Sequence, residues 1–301
     1  MKKINVVFAT DQNYIAHLTV AILSLLENNR DIEFTIYIIN GGIEERLYKK
    51  LLTVTCNYKC KIINAEISDD VFNNLVISNH FTKANYYRLL IPKIVNDHKT
   101  LYLDADLIVN GSIKELYEID ISDFFVGAVE DPNFDGHADL GMKHKSDYFN
   151  SGVMIVNVDR WKRENLTERI IEFVSNNSSV IRYVDQCGLN AIIDGEWKKI
   201  PAKFNQQSIM LKEDSKMENH PFTDEELTEA RKEPIIVHYT GSSKPWQFGN
   251  NHPYKNLYYH YLKSTPFYKR IPEGITVKSI VHWILPNPVI KLIKRIKQQL
   301  T

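Results

Sequence analysis

Short apolar runs alternate with longer helical patterns over the first 66 residues, and that alternation leaves the chain few ways to fold. INVVFA at 4–9 reads as a buried strand. From Tyr14 to Glu27, the residues Ile15, Leu18, Thr19, Ile22, Leu25 and Leu26 recur at the spacing of one helix face. FTIYIIN at 34–40 is a second strand ended by Gly41 and Gly42, a helix follows from about Glu44 to Thr55, and CKIINAE at 60–66 is a third strand. Strands separated by helices pair in parallel, because each helix carries the chain back across a face of the sheet. The expected class is therefore α/β, a mostly parallel sheet flanked by helices. Ligands of such sheets gather beyond the carboxyl ends of the strands.

A pair of acids sits where such a ligand would. In KTLYLDADLIVNGSI, residues 99–113, Leu101, Tyr102 and Leu103 run into Asp104, and Leu107, Ile108 and Val109 follow Asp106. An Asp-x-Asp in a polar loop is ordinarily a solvated turn or a cap. Apolar surroundings change that reading, since burying unpaired carboxylates is costly. Residues i and i+2 of a strand share a face, so the two side chains converge, and convergent oxygen ligands suit a hard divalent cation that keeps positions open for phosphates. Thr10, Asp11 and Asn13 follow the first strand, which brings them to the same crevice.

Further along, FFVGAVE at 124–130 and SGVMIVNV at 151–158 are apolar runs, and a helix is expected from about Asp159 to Ser175. YVDQCGLNAII reads as a shorter helix with Asp185 and Gln186 near its start. Residues 209–232 are polar and acidic and read as an excursion without periodicity. PIIVHYTGSSKPW, 234–246, is a short strand that delivers His238 into a loop of small residues. A lone histidine ending a strand is more often structural than a ligand. The small residues after it, however, let backbone approach a phosphate, and Lys244 supplies positive charge. Asp104, Asp106 and His238 thus form a candidate metal set.

Charge and cysteine usage exclude several classes. Lys and Arg number 37 against 37 Asp and Glu, so no global field favours nucleic acid. Cys56, Cys60 and Cys187 supply no second pair for a zinc site and read as reduced. The start of the chain reads as a strand rather than a signal peptide, and no run reaches the length of a membrane span, so a cytoplasmic location is expected. A catalytic body over 1–265 is expected, with a distinct tail over 266–301. From Lys278 onward the tail holds Lys291, Lys294, Arg295 and Lys297 with no acidic residue, and Val289, Leu292, Ile293, Ile296 and Leu300 fall on one helix face behind an Asn287-Pro288 start. It is either a docked C-terminal helix or an interfacial one, and Trp283 with its apolar neighbours favours contact with an anionic membrane surface.

The chain resembles the retaining glycosyltransferases of family 8, the group that includes bacterial lipooligosaccharide galactosyltransferases and glycogenin, over about residues 4–262. Motifs match in order: VVFATDQNY to the nucleotide-binding first strand, TKANYYRLLIP to a helix with an arginine near the donor, and LYLDADLIV to the DXD element. YFNSGVMIVNV, VDQCGLN, WKKIPAKFNQQ and IVHYTGSSKPW follow, with Ile200 and Phe204 as mild departures in the third of these. The resemblance implies a GT-A fold with a Rossmann-like mixed sheet, and Mn²⁺ or Mg²⁺ held by Asp104, Asp106 and His238. It implies a UDP-galactose or UDP-glucose donor seated by Ala9, Thr10, Asp11, Asn13 and Ala105, with Lys244 and the Gly241 amide at the phosphates. Arg88, Asn150, Ser151, Asp185 and Gln186 would surround the sugar, Gln186 steadying charge rather than attacking. The acceptor would be a saccharide such as a lipid-linked one, met by an enzyme peripheral on the inner face of the cell membrane.

Three rivals stay open on sequence. A strand ending in Asp-x-Asp also begins the haloacid dehalogenase motif, although there it lies on the first strand. A nucleotide-sugar binding module without transfer activity would account for the tail. A self-glucosylating protein similar to glycogenin needs an acceptor tyrosine, and Tyr254, Tyr258, Tyr259 and Tyr261 form a cluster whose other reading is packing.

Overall fold

The computed structural model describes residues 3–77, 82–212, 220–269 and 272–275, so the tail helix expected beyond residue 278 lies outside the described residues. The strands are β1 (Lys3–Thr10), β2 (Glu33–Asn40), β3 (Cys60–Glu66), β4 (Lys99–Leu103), β5 (Leu107–Val109), β6 (Val126–Glu130), β7 (Phe149–Asn157), β8 (Lys198–Lys199), β9 (Gln206–Gln207) and β10 (Ile236–His238). Among the described residues, seven of them form one sheet in the order β3-β2-β1-β4-β7-β6-β8, and β5-β10-β9 form a second. From β3 to β4 the pairing is parallel, β7 runs antiparallel between β4 and β6, and β8 joins β6 in parallel. The sheet is thus mixed, with the parallel half read correctly from the alternation of the first 66 residues.

The helix Ile15–Glu27 shows what periodicity leaves out. Of the predicted face, Ile15, Leu18, Ile22, Leu25 and Leu26 pack into the core beneath β1 and β2, and Thr19 is buried as well. Val20 and Leu23, on the opposite side, are buried against Ile108, Val237, Trp246 and Tyr258. The helix lies between the two sheets, which is why it is apolar nearly all round.

Two expectations need correction. The single helix from about Asp159 to Ser175 is two helices, Val158–Arg163 and Leu166–Asn176, parted at Asn165, whose φ of 50° is left-handed and ends the first ladder. The excursion over 209–232 contains the helix Asp224–Lys232. It opens with a reciprocal cap in which the Glu226 N–H donates to the Thr223 hydroxyl and the Thr223 N–H to the Glu226 carboxylate. The Thr-x-x-Glu pattern was present in the sequence; the weakly apolar face behind it hid the helix.

Asp104, Ala105 and Asp106 form the joint between the two sheets. The Asp104 N–H still donates to the Gly152 carbonyl on β7 at 2.8 Å, while the Asp106 carbonyl accepts from the Tyr239 N–H next to β10 at 3.1 Å. The chain leaves one sheet and enters the other within three residues, and both acids are turned into the gap. No helix of the described residues is long and apolar enough to cross a membrane.

Candidate active site

A cavity of about 300 Å³ opens at the carboxyl ends of β1, β4 and β6, near the lower end of ligand-pocket sizes. Ala9, Thr10, Asp11, Arg88, Asp104, Ala105, Asp106, Asn150, Ser151, Asp185, Gln186, His238, Gly241 and Lys244 all line it. Of the residues that the resemblance places at the donor or the metal, Asn13 alone is not part of this wall; its N–H donates to Asp11 Oδ1 at 2.8 Å and closes the turn before the first helix. Gly241 has a φ of 84°, a left-handed conformation that favours glycine where the backbone bends at the cavity rim.

Asp104, Asp106 and His238 offer one ligand atom each, all within 4.8 Å of one another. His238 Nε2 lies 3.7 Å from Asp104 Oδ2 and 3.3 Å from Asp106 Oδ1. Its other nitrogen, Nδ1, is 2.9 Å from Asn205 Oδ1, whose amide donates in turn to Asn150 Oδ1 at 2.9 Å. The Gly152 N–H donates to that same Asn150 oxygen at 3.1 Å. This chain assigns the histidine proton to Nδ1 and leaves the Nε2 lone pair facing the two acids. Gly152 also keeps the space open: a β-carbon there would stand 2.2 Å from His238 Cε1 and 2.7 Å from Asp104 Oδ2. An oxygen-oxygen-imidazole set, one face cleared of side chain and the ring aimed from behind, fits a divalent cation.

Lys244 divides the work of Asp106. Its ammonium reaches Asp106 Oδ2 and the Tyr239 carbonyl, so Oδ1 faces the histidine and Oδ2 the lysine. Burial alone would raise the Asp106 carboxyl, but the Lys244 ammonium overcomes it and holds the group far below the usual carboxylate range.

Arg88, 3% exposed, organises the other wall. One nitrogen donates to the carbonyl and hydroxyl of Ser151 at 2.7 and 2.9 Å, and another pairs with Asp104 Oδ1 at 3.0 Å. Its Nε lies 2.9 Å from Asp185 Oδ2, but that N–H is spent on the Asn85 carbonyl, so the buried oxygen is charge-paired without an aligned hydrogen bond. Burial lifts the Asp185 carboxyl to about 7 in spite of Arg88. Gln186 has both ends of its amide engaged: Oε1 accepts from the Ser151 N–H at 3.0 Å, and Nε2 donates to Asp131 Oδ2 at 3.1 Å and the Tyr148 hydroxyl at 3.3 Å.

Three residues of this site escaped the sequence reading. Asp131 follows β6 as Asp104 follows β4, but Glu130 stands between it and the apolar run, so the pair reads as a polar strand end rather than as acids set in apolar sequence. Tyr102 donates to Asp104 Oδ1 at 2.7 Å and lies beneath the Arg88 guanidinium at 4.5 Å. Asn205 sits in a segment already noted, yet nothing local marks it as the partner of a histidine. Tyr254, Tyr258, Tyr259 and Tyr261 do not line the cavity, and Tyr258 and Tyr261 are buried, as packing predicts.

The lining carries five aspartates against Arg88, Lys212 and Lys244, a net of two negative charges when all are ionised. An anionic ligand entering such a cavity needs a cation with it.

Known proteins resemble this chain in sequence and in fold. The model of "Glycosyl transferase family 8" matches residues 5–249. General stress protein A of Bacillus subtilis is 34% identical over 269 residues, covering 87% of this chain and 93% of that protein. Lipopolysaccharide 1,2-glucosyltransferase of Escherichia coli K12 is 26% identical over 288 residues, covering 93% and 83%. The crystal structure of the galactosyltransferase LgtC with donor and acceptor sugar analogues superposes with a TM-score of 0.77 at 24% identity, covering 90% of this chain and 98% of that one, and shows the shared GT-A fold.

Proposed function

The chain belongs to glycosyl transferase family 8, and from that premise we propose that it moves a hexose from UDP-galactose or UDP-glucose onto a saccharide acceptor with retention of configuration. The observation that carries the donor reading is the convergence of Asp104, Asp106 and His238 beside Lys244 in one negatively charged cavity. A sugar diphosphate would otherwise be repelled there.

Asp104, Asp106 and His238 would hold Mn²⁺ or Mg²⁺. Bound there, the ion would supply Lewis-acid charge against a diphosphate leaving group. Lys244 and the backbone at Gly241 would meet the phosphates from the other side, and Ala9, Thr10, Asp11 and Ala105 would seat the nucleoside, with Asn13 acting only through the turn it closes. Arg88 fixes Asp185, Asp104 and Ser151 as one unit, and Asp185 retains capacity to accept from a sugar hydroxyl.

Front-face displacement accounts best for retention. Gln186 carries no charge, and its oxygen already accepts from Ser151, which suits it to steady a developing oxocarbenium rather than attack. Asp131 is no better placed to attack, since Oδ1 accepts from the Asn133 N–H and Oδ2 from Gln186.

The acceptor reading rests on composition and on relatives. We take the acceptor to be a cell-surface glycan, lipid-linked, with the basic segment over 266–301 attaching a catalytic body to the anionic inner face of the membrane. UDP release from a panel of UDP-sugars, with and without Mn²⁺, tests the donor reading. Turnover of UDP-galactose or UDP-glucose that needs the metal and drops about 1,000-fold in Asp106→Ala supports it; turnover indifferent to metal and mutation sinks it.

A further inference from the structure

Glu273 lies beyond the residues that match the family model, 5–249, and beyond the expected end of the catalytic body, yet it closes on the turn that carries Lys244. Residues 272–275 return as a short strap. The Phe248 N–H donates to the Glu273 carbonyl at 2.8 Å and the Glu273 N–H to the Trp246 carbonyl at 3.0 Å, a parallel bridge centred on Gln247. The side chain repeats the grip: Oε2 accepts from Trp246 Nε1 at 3.1 Å, and Oε1 stands 3.6 Å from His17 Nε2.

Trp246 transmits this hold inward. It is 4% exposed, stacks on His17 with ring centres 3.6 Å apart, and meets Tyr14 of the cavity wall edge-on. Lys244 stands two residues before it, across Pro245, with its N–H donating to Gln247 Oε1 at 3.0 Å. On the other side of Lys244 the chain is Gly241, Ser242 and Ser243, which offer little stiffness. An ammonium on a flexible stem is only as well placed as the backbone that holds it.

We propose that Glu273 is a positioning residue for Lys244: the strap 272–275 clamps the turn 244–248 from outside, keeping the ammonium at Asp106 and at the diphosphate subsite. The working unit therefore extends to residue 275, and the segment that leads into the basic tail is fastened to the loop that handles phosphate. The clamp on Lys244 stands on geometry alone, and its consequence for a diphosphate rests on the donor reading above.

Two readouts on the full chain separate these. Limited acetylation with acetic anhydride, read by peptide mass spectrometry against the exposed Lys49, should label Lys244 several-fold faster in Glu273→Ala than in wild type and no faster in Glu273→Gln, whose amide oxygen still accepts from Trp246. UDP binding in excess Mn²⁺ should weaken about tenfold in Glu273→Ala, recover in Glu273→Gln, and show no further loss when Glu273→Ala is added to Lys244→Ala. Trp246→Phe, which keeps an aromatic ring at the stack and removes the donor, should behave like Glu273→Ala and serves if that variant does not fold. Unchanged labelling overturns the clamp. Faster labelling without weaker UDP binding, or weaker binding that persists without Lys244, overturns the positioning role. Faster labelling in a protein whose wild type takes no UDP leaves the clamp in place and removes the donor reading instead.

Discussion

His238 and Asn205 stand 33 residues apart in the chain and meet at 2.9 Å, Nδ1 against Oδ1. The Asn205 amide is itself oriented, because its nitrogen donates to Asn150, so the oxygen is the end presented to the ring and the imidazole proton is assigned to Nδ1. Nε2 is left to face Asp104 and Asp106.

Asn205→Ala should therefore weaken the metal without touching a ligand. Loss of such an outer partner costs about 10–100-fold in metal affinity. The Mn²⁺ concentration for half-maximal UDP release would rise by that factor, with the rate at saturating metal much less affected. An unchanged metal requirement would count against the assigned proton.

Gly152→Ala tests the open face from the other side. The added carbon would sit 2.2 Å from His238 Cε1 with β7 backbone behind it, so ring or strand must give. Overpacking of this kind costs about 1–3 kcal/mol of stability, and here it also displaces a ligand. Metal-dependent turnover should fall well before the fold does, measured by thermal melting alongside UDP release.

Gln186→Ala distinguishes steadying from attack. A residue that forms the covalent intermediate is lost at a cost of about 10⁴-fold or more. With Gln186 as an amide already bonded to Ser151 and Asp131, the expected drop in kcat is about 10–100-fold, comparable to one positioned polar group. Complete loss in a folded, donor-binding variant would point back to a covalent route.

Asp185 should leave a signature in the metal-free protein. Burial raises its carboxyl to about 7, against about 4 in an unfolded chain. A carboxyl raised on folding binds its proton more tightly in the native state, so its contribution to stability is present at low pH and is lost as pH rises from about 4 to 7. Asp185→Asn has no such proton to lose. The melting temperature of the variant relative to wild type should climb across that interval, and a difference that stays flat refutes the assignment.

Local rules carried the parallel half of the sheet and the pair of acids a long way. Period-two and period-3.6 patterns are written into neighbouring residues, so β1, β2, β3 and the inner face of the first helix were legible, as was the oddity of Asp104 and Asp106 in apolar sequence. The resemblance to a known family then extended that reading across most of the chain. Where two influences compete locally, the reading failed: Asn165 breaks a helix whose apolar spacing continues past it, and the Thr223 cap opens a helix whose apolar face is thin.

What the sequence alone determined, then, was which segments become strands and helices and which polar groups are too expensive to bury without a partner. What the tertiary structure decided is who those partners are. Asn205 aims His238, Arg88 holds Asp104, Lys244 takes one oxygen of Asp106, and Glu273 grips Trp246, each across 16 residues of chain or more. Hydrogen bonds and ion pairs are set by distance and direction in space. Those quantities exist only once two sheets meet at the joint between Leu103 and Leu107.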